Sequence, residues 1–399
     1  MKIHEIWFQG YKAYGGDGTD AQFQRLRLAP LTLVLGKNNS GKSAAIRLPR
    51  LLLGGLECDD GRVLPVEVRG MRYGSGFLDL VHGGAFFRRP VFRILASHGD
   101  LPLDLTVTLF SRSALAADEP PQVWSYQMHA PESLDMAGPG EAHGTGTIFK
   151  GLLPPRARWN TWRKAAGAVL GEMIHLGPTR ASVLSAYANE QVLGRLGLRG
   201  VEAPQLLRQD GELADQVGSW FSAHMDGWRL LLKKDPDSFS LGLRRSSTLE
   251  TNLAQGGEGV QQVLPVVVHQ LWRQRHASMP FLDVVEQPEL HLHAAAQAPL
   301  ADLFIDTAIM GPGQLLVETS SEPILLRVQR RVAEGKIRPE QVALYFVEMT
   351  DEGSQLKAVG LTADGEVDWW PSGVFEEDFV EVAAIRRAQR ARSGHGDHP

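Results

Sequence analysis

An α/β fold built around a phosphate-binding loop is what this sequence predicts, on three observations. Residues 31–46 read LTLVLGKNNSGKSAAI, which contains the complete pattern Gly36-x-x-x-x-Gly41-Lys42-Ser43. Residues 65–128 carry four strand-like runs separated by turn residues. From residue 250 onward, short apolar runs alternate with helical stretches, the pattern of a parallel sheet with helices on its faces. Together these predict a mixed sheet, an antiparallel β subdomain and a mainly helical insertion.

The loop has the context such a motif requires. Leu31, Leu33, Val34 and Leu35 form a strand that runs into a glycine-rich turn and then a helix start. Small residues let backbone N–H groups close around phosphate oxygens, and the helix N-terminus adds partial positive charge. Gly36, Lys37, Asn38, Asn39, Ser40, Gly41, Lys42, Ser43 and Ala44 are therefore the candidate binding residues for a nucleoside triphosphate. Lys42 is expected to reach the β- and γ-phosphates, and the Ser43 hydroxyl to ligate Mg²⁺.

Composition narrows the setting. The chain has 399 residues, 43% of them hydrophobic, which is ample for a packed core, and a formal net charge of −5. No global basic field points to nucleic acid. The single cysteine, Cys58, excludes an internal disulfide and a thiolate metal cluster. The N-terminus carries charges too early for a signal peptide, and the apolar stretches are too short or interrupted to span a bilayer. A soluble cytoplasmic protein without membrane contact is expected.

Along the chain, residues 1–14 alternate as a strand, and Gln22–Leu28 returns as a second. Ala44–Leu53 is the helix after the loop, and Pro49 inside it should kink it or end it early. The strand-like runs at 65–128 are VEVRGM, VFRILAS, LDLTVTLF and WSYQMHA. Residues 130–147 read as a loop. Helical patterns dominate 156–235, including WNTWRKAAGAVLGEMIHL and DQVGSWFSAHMDGWRLLLKK. Residues 238–244 form a strand. The expected division is 1–128 as an N-terminal lobe, 129–237 as the helical insertion, 238–392 as a C-terminal lobe, and 393–399 as a disordered tail.

A phosphate loop needs a carboxylate at the end of a neighbouring strand to hold Mg²⁺. The run Phe281–Val285 delivers Glu286 to that end. Asp283 is an alternative metal carboxylate, but it lies mid-strand on the side of Val285 rather than of Glu286, and reads rather as a polar residue at a sheet edge or a paired core acid. Gln314–Glu318 is a second apolar run that ends in an acidic residue.

With these motifs in order, the chain resembles an ATP-binding-cassette ATPase of the branch that includes RecF, the SMC-like proteins and the OLD-family ATPases. It is similar in particular to bacterial AAA ATPases whose Walker B segment reads EQPE-x-HLH, as Glu286–His293 does here. The loop GKNNSGKS, the opening MKIHEIWFQGYKAY, NLAQGGEGVQQVLP at 252–265 in the signature position, and VETSSEPILLRVQRRV at 317–332 in the switch position carry the resemblance. GPTR at 177–180 and WWPSGVFEEDF at 369–379 resemble the same set without an assignable chemistry.

The resemblance implies that two subunits sandwich ATP head to tail as a homodimer. Gly256, Gly257 and Gly259 of one subunit would then offer N–H groups to the γ-phosphate held by the other. It assigns Lys42, Glu286 and Gln287 to catalysis, and Ser43 and Glu286 to the metal. ATP and Mg²⁺ are the implied cofactors. A separately encoded protein effector, a nuclease or toxin, is an implied partner, and DNA a possible one. Anti-phage defence or DNA repair is the implied setting. The acidic motifs of an OLD nuclease domain are not seen after the switch segment, so no nuclease is expected in this chain.

Three departures soften the pattern. Gln287 stands at the usual place of the catalytic glutamate, and a glutamine orients water but cannot accept its proton. Glu289 is a candidate substitute. Ser320 replaces the switch histidine, and Gln255 the signature serine. Slow or partner-dependent hydrolysis is expected, and an ATP-binding scaffold with little turnover is the alternative.

Two further patterns have two readings each. His291 and His293, two apart, would point apart on a helix, so a zinc site is disfavoured. PPRARWNTWRK at 154–164 interleaves Arg156, Arg158, Arg163 and Lys164 with Trp159 and Trp162. It could stack bases, or bury its tryptophans and solvate its cations. The basic run at 385–392 is a nucleic-acid contact or a solvated face.

Overall fold

A computed structural model describes residues 1–16, 22–111, 120–131, 133–136, 149–154, 159–191, 194–276, 280–371 and 384–385. The tail at 393–399, most of the basic run at 385–392, Arg156 and Arg158 lie outside the described residues, as does much of the 130–147 segment.

The central sheet has the order β10 (His175–Leu176), β15 (Leu282–Glu286), β16 (Gln314–Glu318), β3 (Leu31–Gly36), β17 (Val342–Thr350), β18 (Gly353–Val359). The first five are parallel and β18 is antiparallel to β17. A second sheet is wholly antiparallel: β2 (Gln24–Arg27), β1 (Lys2–Gln9), β6 (Val91–His98), β7 (Leu101–Phe110), β8 (Gln122–Ala130), β9 (Leu134–Met136). A small sheet joins β11 (Tyr187–Ala188), β12 (Arg229–Lys234) and β14 (Glu250–Asn252) to β13 (Ser238–Arg244). The run at 66–71 is shorter than expected, a hairpin of β4 (Glu67–Val68) and β5 (Met71–Arg72).

The two-residue period of the central strands divides them between two cores. Val34, Leu282, Val284, Leu316, Ala343, Tyr345 and Val347 face the core that holds the helix Lys42–Glu57 and the antiparallel sheet. Leu31, Leu33, Leu35, Val285, Leu315, Val317, Leu344 and Phe346 face the core that holds the helices Glu258–His276, Ala294–Ile309 and Glu322–Ala333. By the same alternation Glu286 and Glu318 point toward the Lys42–Glu57 helix, while Asp283 points the other way.

Two expectations need correction. The helix after the loop does not end at Pro49. It runs from Lys42 to Glu57 with Pro49 inside. A mid-helix proline costs about 3 kcal/mol. Leu51, Leu52, Leu53 and Leu56 beyond it are all fully buried, each worth roughly 1.5–3 kcal/mol, so burial wins.

Residues 129–237 also hold more strand than expected. Among the described residues the helices are Asn160–Glu172, Ala203–Gln209 and Gly211–His224. The IHL of the first helical run instead enters β10 and pairs with β15. The RLLLKK of the second is β12, set off by a turn in which Asp226 (φ 50°) and Gly227 (φ 81°) are left-handed. A boundary at 237 falls inside the β12–β13 hairpin. The segment is woven into the sheets rather than attached to them.

Candidate functional site

Strand β3 is buried along its whole length and ends at Gly36. Gly36 has φ +150° and a side chain there would meet the Val347 carbonyl at 2.6 Å. Gly41, the N-cap of the helix, has φ +100°. Both positions demand glycine. Between them Asn39 also takes a positive φ of 62°, and the loop curls over its own lysine. Lys42 Nζ donates to the carbonyls of Gly36 and Lys37, each at 2.8 Å. Burial lowers the Lys42 pKa, against the opposing charges of Glu318 and Glu289. The β17–β18 turn braces the loop from outside, with the Ser354 hydroxyl donating to Ser40 O at 2.7 Å.

Glu286 and Glu318 are register partners at the ends of β15 and β16. Their surroundings differ. Glu286 accepts from Arg47 Nε at 2.7 Å, from a second Arg47 nitrogen at 2.5 Å, and pairs with His175 Nε2 at 2.7 Å. Burial alone would raise its pKa, but the His175 and Arg47 bonds outweigh burial and hold it below the ordinary range. Burial also lowers the His175 pKa, against the hydrogen bond and charge of Glu286.

Glu318 is 3% exposed. The Ser43 hydroxyl lies close enough to favour the charged form of its carboxyl, and its buried Oε2 has no hydrogen-bond partner among the described residues. Burial, reinforced by the Glu286 charge, pushes its pKa up to about 7, with Ser43, Lys42 and Arg47 opposing. Glu286, expected with Ser43 at the metal, is held by the Arg47 clamp in this structure.

Gln287 follows Glu286 in a left-handed turn (φ 43°), and its N–H donates to the Glu318 carbonyl at 2.8 Å. Arg180, from the GPTR segment, lies beneath it. It is 2% exposed and donates to the carbonyls of Glu286 at 2.6 Å and Gln287 at 3.2 Å. Its Nε and one terminal nitrogen are buried without partners among the described residues. Burial brings the Arg180 pKa down to about 10, against Glu289 and Glu286. Glu289 accepts from Ser320 N at 2.7 Å, and the Ser320 hydroxyl donates to Gly36 O at 3.3 Å. Burial raises the Glu289 pKa, although the Ser320 N–H opposes it. Ser320 is therefore beside the loop.

Gly256 and Gly257 precede the helix Glu258–His276 and Gly259 lies in its first turn. Among the described residues no hydrogen bond joins them to the 36–44 loop. Gly259 has a reason inside the chain: a side chain there would meet the His291 carbonyl at 2.2 Å. Gly257 faces open space. His291 pairs with Glu258 at 3.5 Å, and His293 caps the helix Ala294–Ile309 through its ring. Asp283 is the paired core acid expected, bonded to Arg273 and His269. Trp159 and Trp162 are 1% and 2% exposed, and Arg163 donates to the carbonyls of Lys150, Leu153 and Pro154. These tryptophans are core residues, which removes the base-stacking reading. No helix among the described residues is long and apolar enough to cross a membrane.

The same backbone arrangement occurs in known structures. An SMC head bound to the C-terminal winged-helix domain of ScpA matches over 90% of this chain and 98% of its own, with a TM-score of 0.56 at 14% identity. This chain has the fold of an SMC head. That is the P-loop ATPase fold of the ABC type. The SMC head domain of Thermotoga maritima (TM-score 0.46, 10% identity, 90% of this chain and 100% of that one) is also similar. So is an SMC head with an extended coiled coil, bound to the C-terminal domain of ScpA, from Pyrococcus furiosus (TM-score 0.48, 11% identity, 96% and 99%). A family described as a protein of unknown function (DUF3696) matches residues 337–384, which begin just before β17. No curated protein matches.

The sequence assigned no role to Arg47, His175, Arg180 or Glu318. For Arg47 a signal existed, since it lies one helical turn after Ser43 and so shares its face. For Glu318 it was the apolar run ending in an acid, the same pattern that gave Glu286. His175 had none.

Proposed function

We propose that this chain binds Mg²⁺·ATP at residues 36–44 and hydrolyses it slowly, as a dimeric switch subunit. The observation that carries this is the set of buried polar atoms without partners around one loop: Ser40 Oγ, Glu318 Oε2, and Arg180 Nε with one terminal nitrogen. Unpaired buried polar groups cost about 1–3 kcal/mol each, and a polar ligand with oxygen donors and acceptors would satisfy them. The Ser43 hydroxyl and a carboxylate from the strand ends beside it are hard oxygen donors, which fit a hard divalent cation rather than a soft one.

Bound magnesium would supply charge neutralisation at the phosphates. The chain's own groups do the rest. Lys42 exchanges the carbonyls of Gly36 and Lys37 for phosphate oxygens. Gln287, held from below by Arg180, orients water. Gly256 and Gly257, which make no hydrogen bond to the 36–44 loop among the described residues, would meet nucleotide on a second subunit in a head-to-tail homodimer. A protein effector, with DNA as a further candidate, would read the closed form, in a defence or repair system of the kind that resembling ATPases serve.

Lys42→Ala should weaken ATP binding by at least about tenfold, as measured with a fluorescent analogue, and abolish phosphate release. Release unchanged by the substitution would refute the enzyme reading. A scaffold that binds ATP with little turnover is favoured by one observation, Gln287 in the base position, since a glutamine cannot accept the proton of the attacking water. Wild-type binding without Lys42-dependent phosphate release selects that reading.

A further inference from the structure

We infer that Glu318, not Glu286, is the protein carboxylate that ligates the nucleotide-bound metal together with Ser43. This rests on the Mg²⁺·ATP reading above and deepens it.

The two carboxylates stand side by side, so position and occupancy decide between them. Glu318 is the register partner of Val34 in the loop strand, and Glu286 is the partner of Glu318. With neighbouring strands about 4.8 Å apart, Glu318 is one spacing from the loop strand and Glu286 roughly two. Three donor contacts already fill the oxygens of Glu286: two from Arg47 and one from His175. Both partners belong to packed elements, Arg47 to the helix Lys42–Glu57 and His175 to β10. A cation that took Glu286 would have to displace a guanidinium from a bidentate bond, an exchange that gives up a strong charge-assisted pair.

Glu318 has no such competitor. Among the described residues no arginine or histidine bonds its carboxyl, and the nearby Ser43 hydroxyl is the other oxygen donor expected at the metal. Its Oε2 is buried with no partner to lose. The ligand set is then the Ser43 hydroxyl, the Glu318 carboxylate, phosphate oxygens and water. That is the mix magnesium prefers, one or two protein oxygens with substrate and solvent completing the shell. Glu286 has a different role, since it fixes Arg47 beside the site and leaves the Arg47 charge neutralised.

The test is Mn²⁺ binding to the full chain in the presence of a non-hydrolysable ATP analogue, followed by electron paramagnetic resonance. Analogue affinity in EDTA is measured alongside. Glu318→Gln should weaken Mn²⁺ binding by about tenfold or more, since even supporting partners of metal ligands cost 10–100-fold. It should leave metal-free analogue affinity unchanged. Glu286→Gln should change Mn²⁺ affinity by less than about threefold, because that oxygen pair serves Arg47. Glu318→Asp, which keeps a carboxylate on a shorter stem, should fall between wild type and Glu318→Gln, and it decides the matter if Glu318→Gln does not fold. Wild-type Mn²⁺ affinity in the Glu318 variants, or a larger loss in Glu286→Gln, overturns the assignment while the ATP reading stands. Failure of the wild-type chain to bind the analogue with or without metal removes both.

Discussion

Glu318 shows how much one side chain can carry. Its folded pKa of about 7 lies above the ordinary 4.5, so the folded chain holds this proton more tightly than the unfolded chain does. The resulting stability is complete below about pH 4.5 and is lost as pH rises through about 7. The loss is on the order of 3 kcal/mol at most. Glu318→Gln cannot ionise and keeps its hydrogen-bonding shape. Without nucleotide, its melting temperature should therefore exceed that of wild type at pH 8, and the gap should close by pH 5. A gap that does not change with pH would count against the raised pKa. Glu286, a few ångströms away in the same pocket, behaves in the opposite sense because Arg47 and His175 hold its charge. Two carboxylates of like origin at the ends of like strands have been given different states by their neighbours.

At the scale of elements, strand β15 is joined to both layers by its acids. Glu286 ties it to the Lys42–Glu57 helix, and Asp283 ties it to the helix Glu258–His276 through Arg273 and His269. Asp283 is fully buried, and burial would raise its pKa, but the Arg273 charge and the His269 bond outweigh that and lower it. Removing one member of such a pair leaves the other buried and uncompensated. Asp283→Ala should therefore cost about 3–5 kcal/mol, read as a shift in the urea midpoint. The helix at stake begins immediately after Gly256 and Gly257, so the same substitution should weaken whatever those glycines contact more than it weakens binding at the loop.

For the whole molecule, the antiparallel sheet and the central sheet enclose the Lys42–Glu57 helix, while the signature glycines sit at the start of a helix on the far face of the central sheet. In the proposed head-to-tail sandwich, the glycines of a second subunit complete the site. Adding Mg²⁺·ATP should shift the chain from monomer to dimer in sedimentation velocity, and EDTA should reverse it. Lys42→Ala should stay monomeric under the same conditions. A wild-type chain whose sedimentation is indifferent to nucleotide would sink the sandwich arrangement.

The sequence by itself determined the loop and its flanking strand, because a phosphate cradle is local: its glycines, lysine and serine are contiguous and their backbone demands are visible in the residue types. It determined the parallel-sheet pattern around β15 and β16 for a similar reason, since an apolar run that ends in an acid is a local signal. Alternation also set Asp283 on the face opposite Glu286, and the structure made it a paired core acid. Tertiary structure decided what the acids do. Arg47, His175 and Arg180 reach Glu286 and Gln287 from places 239, 111 and 106 residues distant in the chain, and no spacing rule connects them. It also decided that Pro49 does not stop its helix and that RLLLKK is a strand. In each case burial against a distant element outweighed the local preference, and that distance is what a linear reading does not contain.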